Sequence, residues 1–259
     1  MRIMSYNIFE GGMGRLDPLY EVIRAENPDV ILVQETWETA IFENLAIKLG
    51  MEIFQAQNPR NSRGNVGILS RFPIRRAINF GPMDSRLTRA AALATVNGPN
   101  FSVSLLCVHL HPYPTPADEA IRLREMEAIL DIARNNPGES EGVIIGGDFN
   151  SVHPDQPIDT ARLDPKNYQR MMAHGGSAPR QVVKKILESG WLDAHAATRD
   201  PAGWDTTFTT AYPAMRVDYL FVPNPMASRV AGCRVVKSPM ARFASDHFPI
   251  VLHLRQAAR

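Results

Sequence analysis

Apolar positions along this chain switch between two periods. Short β-branched runs alternate with stretches whose apolar residues return every three or four positions, the pattern of strands alternating with amphipathic helices. Arg2–Asn7 reads as a strand. Leu16, Leu19 and Ile23 then space a helix that starts at Asp17-Pro18, with Asp17 as its cap, and stops at Asn27-Pro28. Val30–Gln34 is a second strand, and Ile41, Leu45 and Leu49 mark a second helix closed by Gly50. Val66–Ser70, Ala90–Val96 and Phe101–Val108 read as strands, the last two joined through a turn at Asn97-Gly98. Asp118–Arg134 is a helix with Leu123, Met126, Leu130 and Ala133 on one face. Strand Val143–Gly147, helix Gln181–Ser189 and strands Arg216–Val222, Arg229–Val236 and Phe248–Leu254 complete the series. No repeat or linker cuts it, so the expectation is one α/β domain over residues 1–259 with mixed sheets. Residues 152–180 are the exception, a long polar stretch with little periodicity. Such a stretch is a functional loop or a surface insertion.

Several strands end in polar groups that do not suit a core. The first ends at Asn7, the second at Gln34-Glu35, and the strand through Val108 at His109. Val143-Ile144-Ile145 runs into Gly146-Gly147-Asp148-Phe149-Asn150, Asp218 sits in an otherwise apolar strand, and Asp246-His247 precede the last one. Singly, each has a plain reading: a turn cap, a helix-start acid, a satisfied interior histidine. Together they supply four carboxylates (Glu35, Asp148, Asp218, Asp246), two amides (Asn7, Asn150) and two histidines (His109, His247). Carboxylate and amide oxygens are hard ligands, which points to Mg²⁺ or Mn²⁺ rather than zinc. A histidine beside an aspartate supplies a base, or a stabiliser of fixed tautomer. This is the equipment of metal-assisted phosphoester hydrolysis.

Composition excludes several alternatives. Hydrophobic content of 44% and charged content of 21% fit a globular chain with a sizeable core. A net charge of +1 gives no strong global pull toward nucleic acid or membrane. Cys107 and Cys233 lie in apolar runs and make neither a disulfide framework nor a zinc site. No run approaches the ~18 apolar residues of a membrane span. Met1–Tyr6 reads as strand rather than signal peptide, so the cytoplasm is the default compartment. Charge is uneven locally. Residues 1–59 carry nine acids and four bases, whereas residues 60–89 carry seven arginines against Asp84 alone. The arginines read as solvated loop charge or as a basic lip for a phosphate-bearing substrate.

Seven segments occur in one order: Ser5-Tyr6-Asn7-Ile8, Val33-Gln34-Glu35, Gly67-Ile68-Leu69-Ser70, Val108-His109-Leu110, Gly147-Asp148-Phe149-Asn150, Arg216-Val217-Asp218-Tyr219 and Ser245-Asp246-His247. In this order they resemble the endonuclease/exonuclease/phosphatase superfamily from end to end. That family includes pancreatic-type DNases, abasic-site endonucleases, tyrosyl-DNA phosphodiesterases, deadenylases, inositol polyphosphate phosphatases and sphingomyelinases. The resemblance implies a four-layer, DNase I-like α/β sandwich: two packed mixed β-sheets flanked by helices, with the site at one end. It implies Glu35 as the main metal ligand, Asn7 beside it on metal or metal water, and Asp246 as a ligand from the opposite side. It implies that His247, oriented by Asp218, bonds the scissile phosphate or acts as base. Asp148 would activate or position the attacking water, and Asn150 and His109 would donate to phosphoryl oxygens.

There are departures from particular branches. The abasic-site endonucleases carry tyrosine where this chain has His109, the sphingomyelinases usually carry a secretion signal, and the inositol phosphatases carry signature residues not found here. Arg63 and Asn65 precede a strand near the site and are candidates to touch phosphate. His111 reads as a loop residue and His195 as structural, while Trp204 and Tyr212 either shape a substrate rim or pack. The expected function is a Mg²⁺- or Mn²⁺-dependent phosphodiesterase or nuclease acting on nucleic acid or a nucleotide derivative. A phosphatase or phospholipid phosphodiesterase of the same fold is the alternative, and a non-catalytic nucleic-acid-binding member a further one. No obligate protein partner is readable.

Overall fold

The computed structural model describes residues 1–58, 60–98, 101–138, 142–201 and 203–255. Strands β1 (Arg2–Asn7), β2 (Val30–Gln34), β3 (Glu52–Ala56) and β4 (Val66–Ser70) alternate with helices α1 (Leu16–Glu26) and α2 (Thr39–Leu49). β5 (Ile74–Asn79), β6 (Ala91–Gly98) and β7 (Phe101–His109) form a meander that leads into α3 (Pro116–Asn135) and β8 (Val143–Asp148). Then come α4 (Pro165–Ala173), α5 (Gln181–Glu188), β9 (Trp191–Asp193), α6 (Ala194–Thr198), β10 (Asp218–Pro223), β11 (Val230–Val235), α7 (Pro239–Ala244) and β12 (Ile250–Leu254).

The strands form two six-stranded sheets, ordered β11-β12-β1-β2-β4-β3 and β5-β6-β7-β8-β10-β9. Ile3, Leu32, Ile68, Leu105, Ile144 and Leu220 fill the space between them. Alternate residues of the same strands point outward. Met4, Ile31 and Val33 pack on Leu19, Phe42 and Ala241 of the helices outside the first sheet. Leu106, Ile145 and Phe221 pack on Met126, Ile129, Val182 and Ile186 of α3 and α5 outside the second. Central strands covered on both faces must read as continuous apolar runs, which is why Val30-Ile31-Leu32-Val33 carries no alternation. Each fully buried Leu or Ile there contributes roughly 1.5–3 kcal/mol. The four-layer sandwich is therefore present as expected.

Details depart from the expectation for local reasons. α1 begins at Leu16, so Asp17 is not its cap; its carboxylate meets Lys48 Nζ at 2.8 Å. Pro18 is tolerated two residues deeper, as the third helical residue, because the first four helical N–H groups lack partners anyway. α3 starts at Pro116, capped reciprocally by Thr115 and Asp118. Asp218 opens β10 instead of lying inside it. Residues 152–180 are ordered into a structured segment: Asp164 caps α4, and Leu163, Met171 and Ala178 join Val152 and Val217 in a small apolar cluster. Strands β3, β5 and β9 lie at sheet edges, where one-sided burial weakens the apolar signal. Asn97 and Gly98, expected to form a turn, are instead the last residues of β6, paired with Ser102 and Phe101; residues 99–100 lie outside the described residues. Both cysteines are buried free thiols. No helix of the described residues is long and apolar enough to cross a membrane.

Candidate active site

Strand register assembles the polar ends. β1 and β2 run parallel with Asn7 opposite Gln34, so Glu35 emerges one residue beyond the shared edge. β7 and β8 run parallel with His109 opposite Asp148, and β10 runs antiparallel with Asp218 opposite that same Asp148. Ser245-Asp246-His247 approach from the segment leading into β12, beside β1. One side-chain amide joins the sheets: Asn7 Nδ2 donates to Glu35 Oε1 at 3.3 Å and to Asp148 Oδ2 at 3.1 Å. Ser245 Oγ donates to the Asn7 carbonyl at 2.7 Å and accepts the His247 N–H at 3.1 Å. Thr207 Oγ1 accepts the Val217 and Asp218 N–H groups, holding the start of β10.

The strands turn sharply where they end. Phe9, Glu10, Glu35, Tyr113 and Asn150 all have positive φ, between 43° and 76°. Such backbone costs a non-glycine residue roughly 1–3 kcal/mol. Here it reverses the chain at once, so side chains stay aimed across the sheet ends. These residues line two adjoining cavities that share Pro112 and Tyr113. The larger, about 530 Å³, is lined by Glu10, Glu35, Arg63, Arg89 and His111 among others.

Electrostatics separates the two histidines. His247 Nδ1 lies 2.8 Å from Asp218 Oδ2, and its Nε2 lies 3.7 Å from Asp148 Oδ2 and 4.0 Å from Asp246 Oδ1. Burial opposes its charge, but the Asp218 and Asp148 carboxylates outweigh burial and hold its pKa well above the ordinary value. His247 is thus an imidazolium with Nε2–H facing the carboxylates. Burial and the charges of Arg89 and His247 push His109 the other way, well below its ordinary value. Arg89 Nη1 lies 2.8 Å from His109 Nδ1. A guanidinium only donates, so Nδ1 must accept and the single proton of His109 sits on Nε2, 3.4 Å from Asp148 Oδ2. His109 is a neutral donor aimed into the site. Burial raises Asp148 to about 7, with the His247 charge opposing and Asp218 reinforcing the rise.

This assignment predicts a spectroscopic result. By ¹⁵N NMR, His109 should remain the neutral Nε2–H tautomer through pH ~6.5, where an ordinary histidine gains its second proton. In Arg89→Met it should titrate or mix tautomers in that range. An unchanged spectrum in the variant contradicts the Arg89 contact.

Two groups could hold a cation. Ligand atoms of Asp148, Asp218 and His247 all lie within 4.8 Å of one another. However, the His247 nitrogen nearest Asp218 is already engaged at hydrogen-bond distance, which suits proton placement better than shared ligation. Glu35 and Asp246 offer only oxygens. Asp246 Oδ1 is buried with no hydrogen-bond partner among the described residues, and burial together with the Glu35 charge raises its pKa despite His247. A buried carboxylate oxygen that makes no hydrogen bond and feels the charge of a second carboxylate fits a hard divalent cation, although Asp218 Oδ1 is likewise buried without a hydrogen bond. Asn7 turns its nitrogen toward the carboxylates while its oxygen accepts the Phe9 N–H at 3.0 Å, so it serves as a donor that orients them.

The eight strand-end residues thus converge, but the outlying candidates divide. Arg63 lines the charged cavity and lies 5.7 Å above Trp37. Asn65 does not join it; its Oδ1 accepts the Asn58 N–H at 2.7 Å and secures a loop. The arginine-rich run is not one lip. Arg71 holds the Pro28 carbonyl and Asn27, Arg76 holds Asn136, and Arg86 pairs with Asp84 and Asp131. His111 bonds Asp118 at 3.0 Å and His195 bonds Asp205 at 3.1 Å. Trp204 packs between Arg199 and His153. Sequence reasoning missed Glu10, and it read Arg89 only as one of seven arginines and Thr207 and Phe208 only as part of the rim stretch between Trp204 and Tyr212. Six other arginines masked the signal of Arg89.

The sequence model of the Endonuclease/Exonuclease/phosphatase family matches residues 4–247. The chain belongs to this family. Enzymes of the endonuclease/exonuclease/phosphatase family act on phosphoester bonds and use divalent metals. Among solved structures, an AP endonuclease from Archaeoglobus fulgidus is 19% identical, with 98% of this chain and 99% of that one covered and a TM-score of 0.76. The 3' phosphatase NExo from Neisseria, bound to a product DNA hairpin, is 19% identical over 98% and 99% of the two chains, with a TM-score of 0.72. An endonuclease/exonuclease/phosphatase from Beutenbergia cavernae is 20% identical over 100% of this chain and 72% of that one, with a TM-score of 0.70. These likenesses show the fold. No curated protein matches the chain by sequence.

Proposed function

We propose that this chain is a divalent-metal-dependent phosphodiesterase. The observation that carries the reading is the His247–Asp218 pair at 2.8 Å, aimed at Asp148 and flanked by the unpartnered carboxylate oxygen of Asp246. Glu35 and Asp246 would hold Mg²⁺ or Mn²⁺, which supplies charge neutralisation at a phosphoryl oxygen. The remaining roles belong to the protein. Asp148, raised to about 7 by burial, takes the proton of the attacking water. His247, held charged by two carboxylates, donates from Nε2 to a phosphoryl oxygen and balances the negative charge added there. His109 and the second amide proton of Asn150 donate alongside it; the first bonds the Leu110 carbonyl at 3.1 Å.

A diester carries one negative charge, which suits a site already crowded with carboxylates better than a dianionic monoester does. Nucleic acid as the diester is favoured by the activities named for the neighbours, an AP endonuclease and a DNA-bound 3' phosphatase. The +1 net charge and the paired arginines argue against a long polyanion. Initial rates on bis(p-nitrophenyl) phosphate, DNA, abasic DNA, RNA, inositol phosphates and phospholipids, each with Mg²⁺, Mn²⁺ or chelator, test the proposal. At least one diester should be turned over only with metal, and monoesters about tenfold or more slowly. No turnover of any ester with either metal contradicts the reading and favours a non-catalytic binding member.

A further inference from the structure

The second cavity differs in kind from its charged neighbour. It encloses about 190 Å³ and is lined on one side by Val152, Phe208 and Val217, and on the other by Leu163, Met171 and Ala178 from the 152–180 segment. Its polar side chains are Asn150, Asn167, Arg170 and the phenol of Tyr113. Asn150 Nδ2 donates to the Leu110 carbonyl, Asn167 Nδ2 donates to Asp164, and Arg170 lies 5.6 Å over the Tyr113 ring. Because the rest of the lining is apolar, a polyhydroxylated group entering this space would lose more hydrogen bonds to water than these few side chains return.

Size and position define the occupant further. An apolar cavity of about 150 Å³ accepts one benzene, so this one takes a single ring or a short alkyl chain. The cavity adjoins the charged one at Pro112 and Tyr113. Phe208, in its wall, packs its ring 4.7 Å from that of His247. Asn150, at its edge, donates its backbone N–H to Asp148 Oδ1 at 2.9 Å. A group one ester oxygen away from a phosphorus held by His247 therefore reaches the opening.

We propose that this pocket binds an uncharged, hydrocarbon-rich ester group of the substrate, a single ring or short alkyl chain directly esterified to the scissile phosphate. The inference rests on the phosphodiesterase reading and narrows it: phosphate lies toward Glu35 and Arg89, hydrocarbon beneath α4. The substrate class is an aryl or alkyl phosphodiester, selected over phosphates of sugars and polyols.

Binding tests this without requiring turnover. Calorimetry with Mg²⁺ present compares phenylphosphonate, methylphosphonate and ribose 5-phosphate on the wild-type protein and on Ala178→Trp, which fills the pocket. Phenylphosphonate should bind wild type about tenfold or more tightly than methylphosphonate, with ribose 5-phosphate no tighter than methylphosphonate. In Ala178→Trp the phenyl advantage should shrink to about twofold or less. Leu163→Trp fills the same space from another position on the same side and should give the same collapse if Ala178→Trp does not fold. Equal binding of the two phosphonates to wild type overturns the pocket while leaving the hydrolase intact. So does tighter binding of ribose 5-phosphate, or a phenyl advantage that survives in the folded variants. Binding of none of the three overturns the phosphate site and the pocket together.

Discussion

Replacing His247 with alanine is expected to lower kcat on a phosphodiester by about 1,000-fold while leaving KM within about threefold. The effect comes from where its charge lies. Burial alone would neutralise this imidazole, yet Asp218 at 2.8 Å and Asp148 at 3.7 Å keep it protonated. Its Nε2–H is then a charged donor in a buried setting, where it matters most as negative charge builds on the phosphoryl group. Asp218→Asn should lose a comparable factor, because the pair acts as a unit. The double variant should lose scarcely more than either single one. Steady-state kinetics on bis(p-nitrophenyl) phosphate, with circular dichroism to confirm folding, decides it. A folded His247→Ala protein within about threefold of wild type would remove His247 from the chemistry.

Gly147→Ala is expected to destabilise the fold by about 4 kcal/mol or more and to lower Tm by roughly 10 °C. Gly147 has φ +149°, and a Cβ there would stand 1.8 Å from the Val108 carbonyl oxygen, itself part of the β7–β8 pair. No side chain can swing aside to relieve this contact; the strands themselves must part. Alanine strain at that φ adds roughly 1–3 kcal/mol. Because His109 pairs with Asp148 one position further on, the same displacement separates two site residues. Thermal unfolding followed by circular dichroism provides the measurement. A Tm within about 2 °C of wild type would mean that the strands do not approach so closely.

The sequence made the fold legible where strands are buried on both faces. Val30–Gln34 and Val66–Ser70 begin and end where their apolar runs do. Edge strands were not legible: Glu52–Ala56 and Ile74–Asn79 carry Glu, Gln and Arg on open faces and alternate weakly. Residues 152–180 looked structureless because their apolar residues are sparse, with Ile158, Leu163, Met171 and Ala178 meeting only through a fold-back that no local period records. The site was legible because its chemistry sits at strand ends, where a polar residue breaks an apolar run. Asn7, Glu35, His109, Asp148 and His247 all announced themselves in that way, and register brings them together. Arg89 and Glu10 act through loops, so nothing periodic distinguishes them. Asn65 shows the converse. Its placement ahead of a strand suggested substrate contact, whereas loop closure with Asn58 is what it does.

In the proposed mechanism a divalent metal would sit between Glu35 and Asp246, with Asp148, Asp218 and His247 left free to handle protons and phosphate. Anomalous diffraction from crystals soaked in Mn²⁺ tests that division most directly. One strong peak is expected within bonding distance, about 2.0–2.3 Å, of a Glu35 carboxylate oxygen, with Asp246 reached directly or through one water. A peak ligated by His247 and Asp218 instead, or no peak at saturating Mn²⁺, would contradict it.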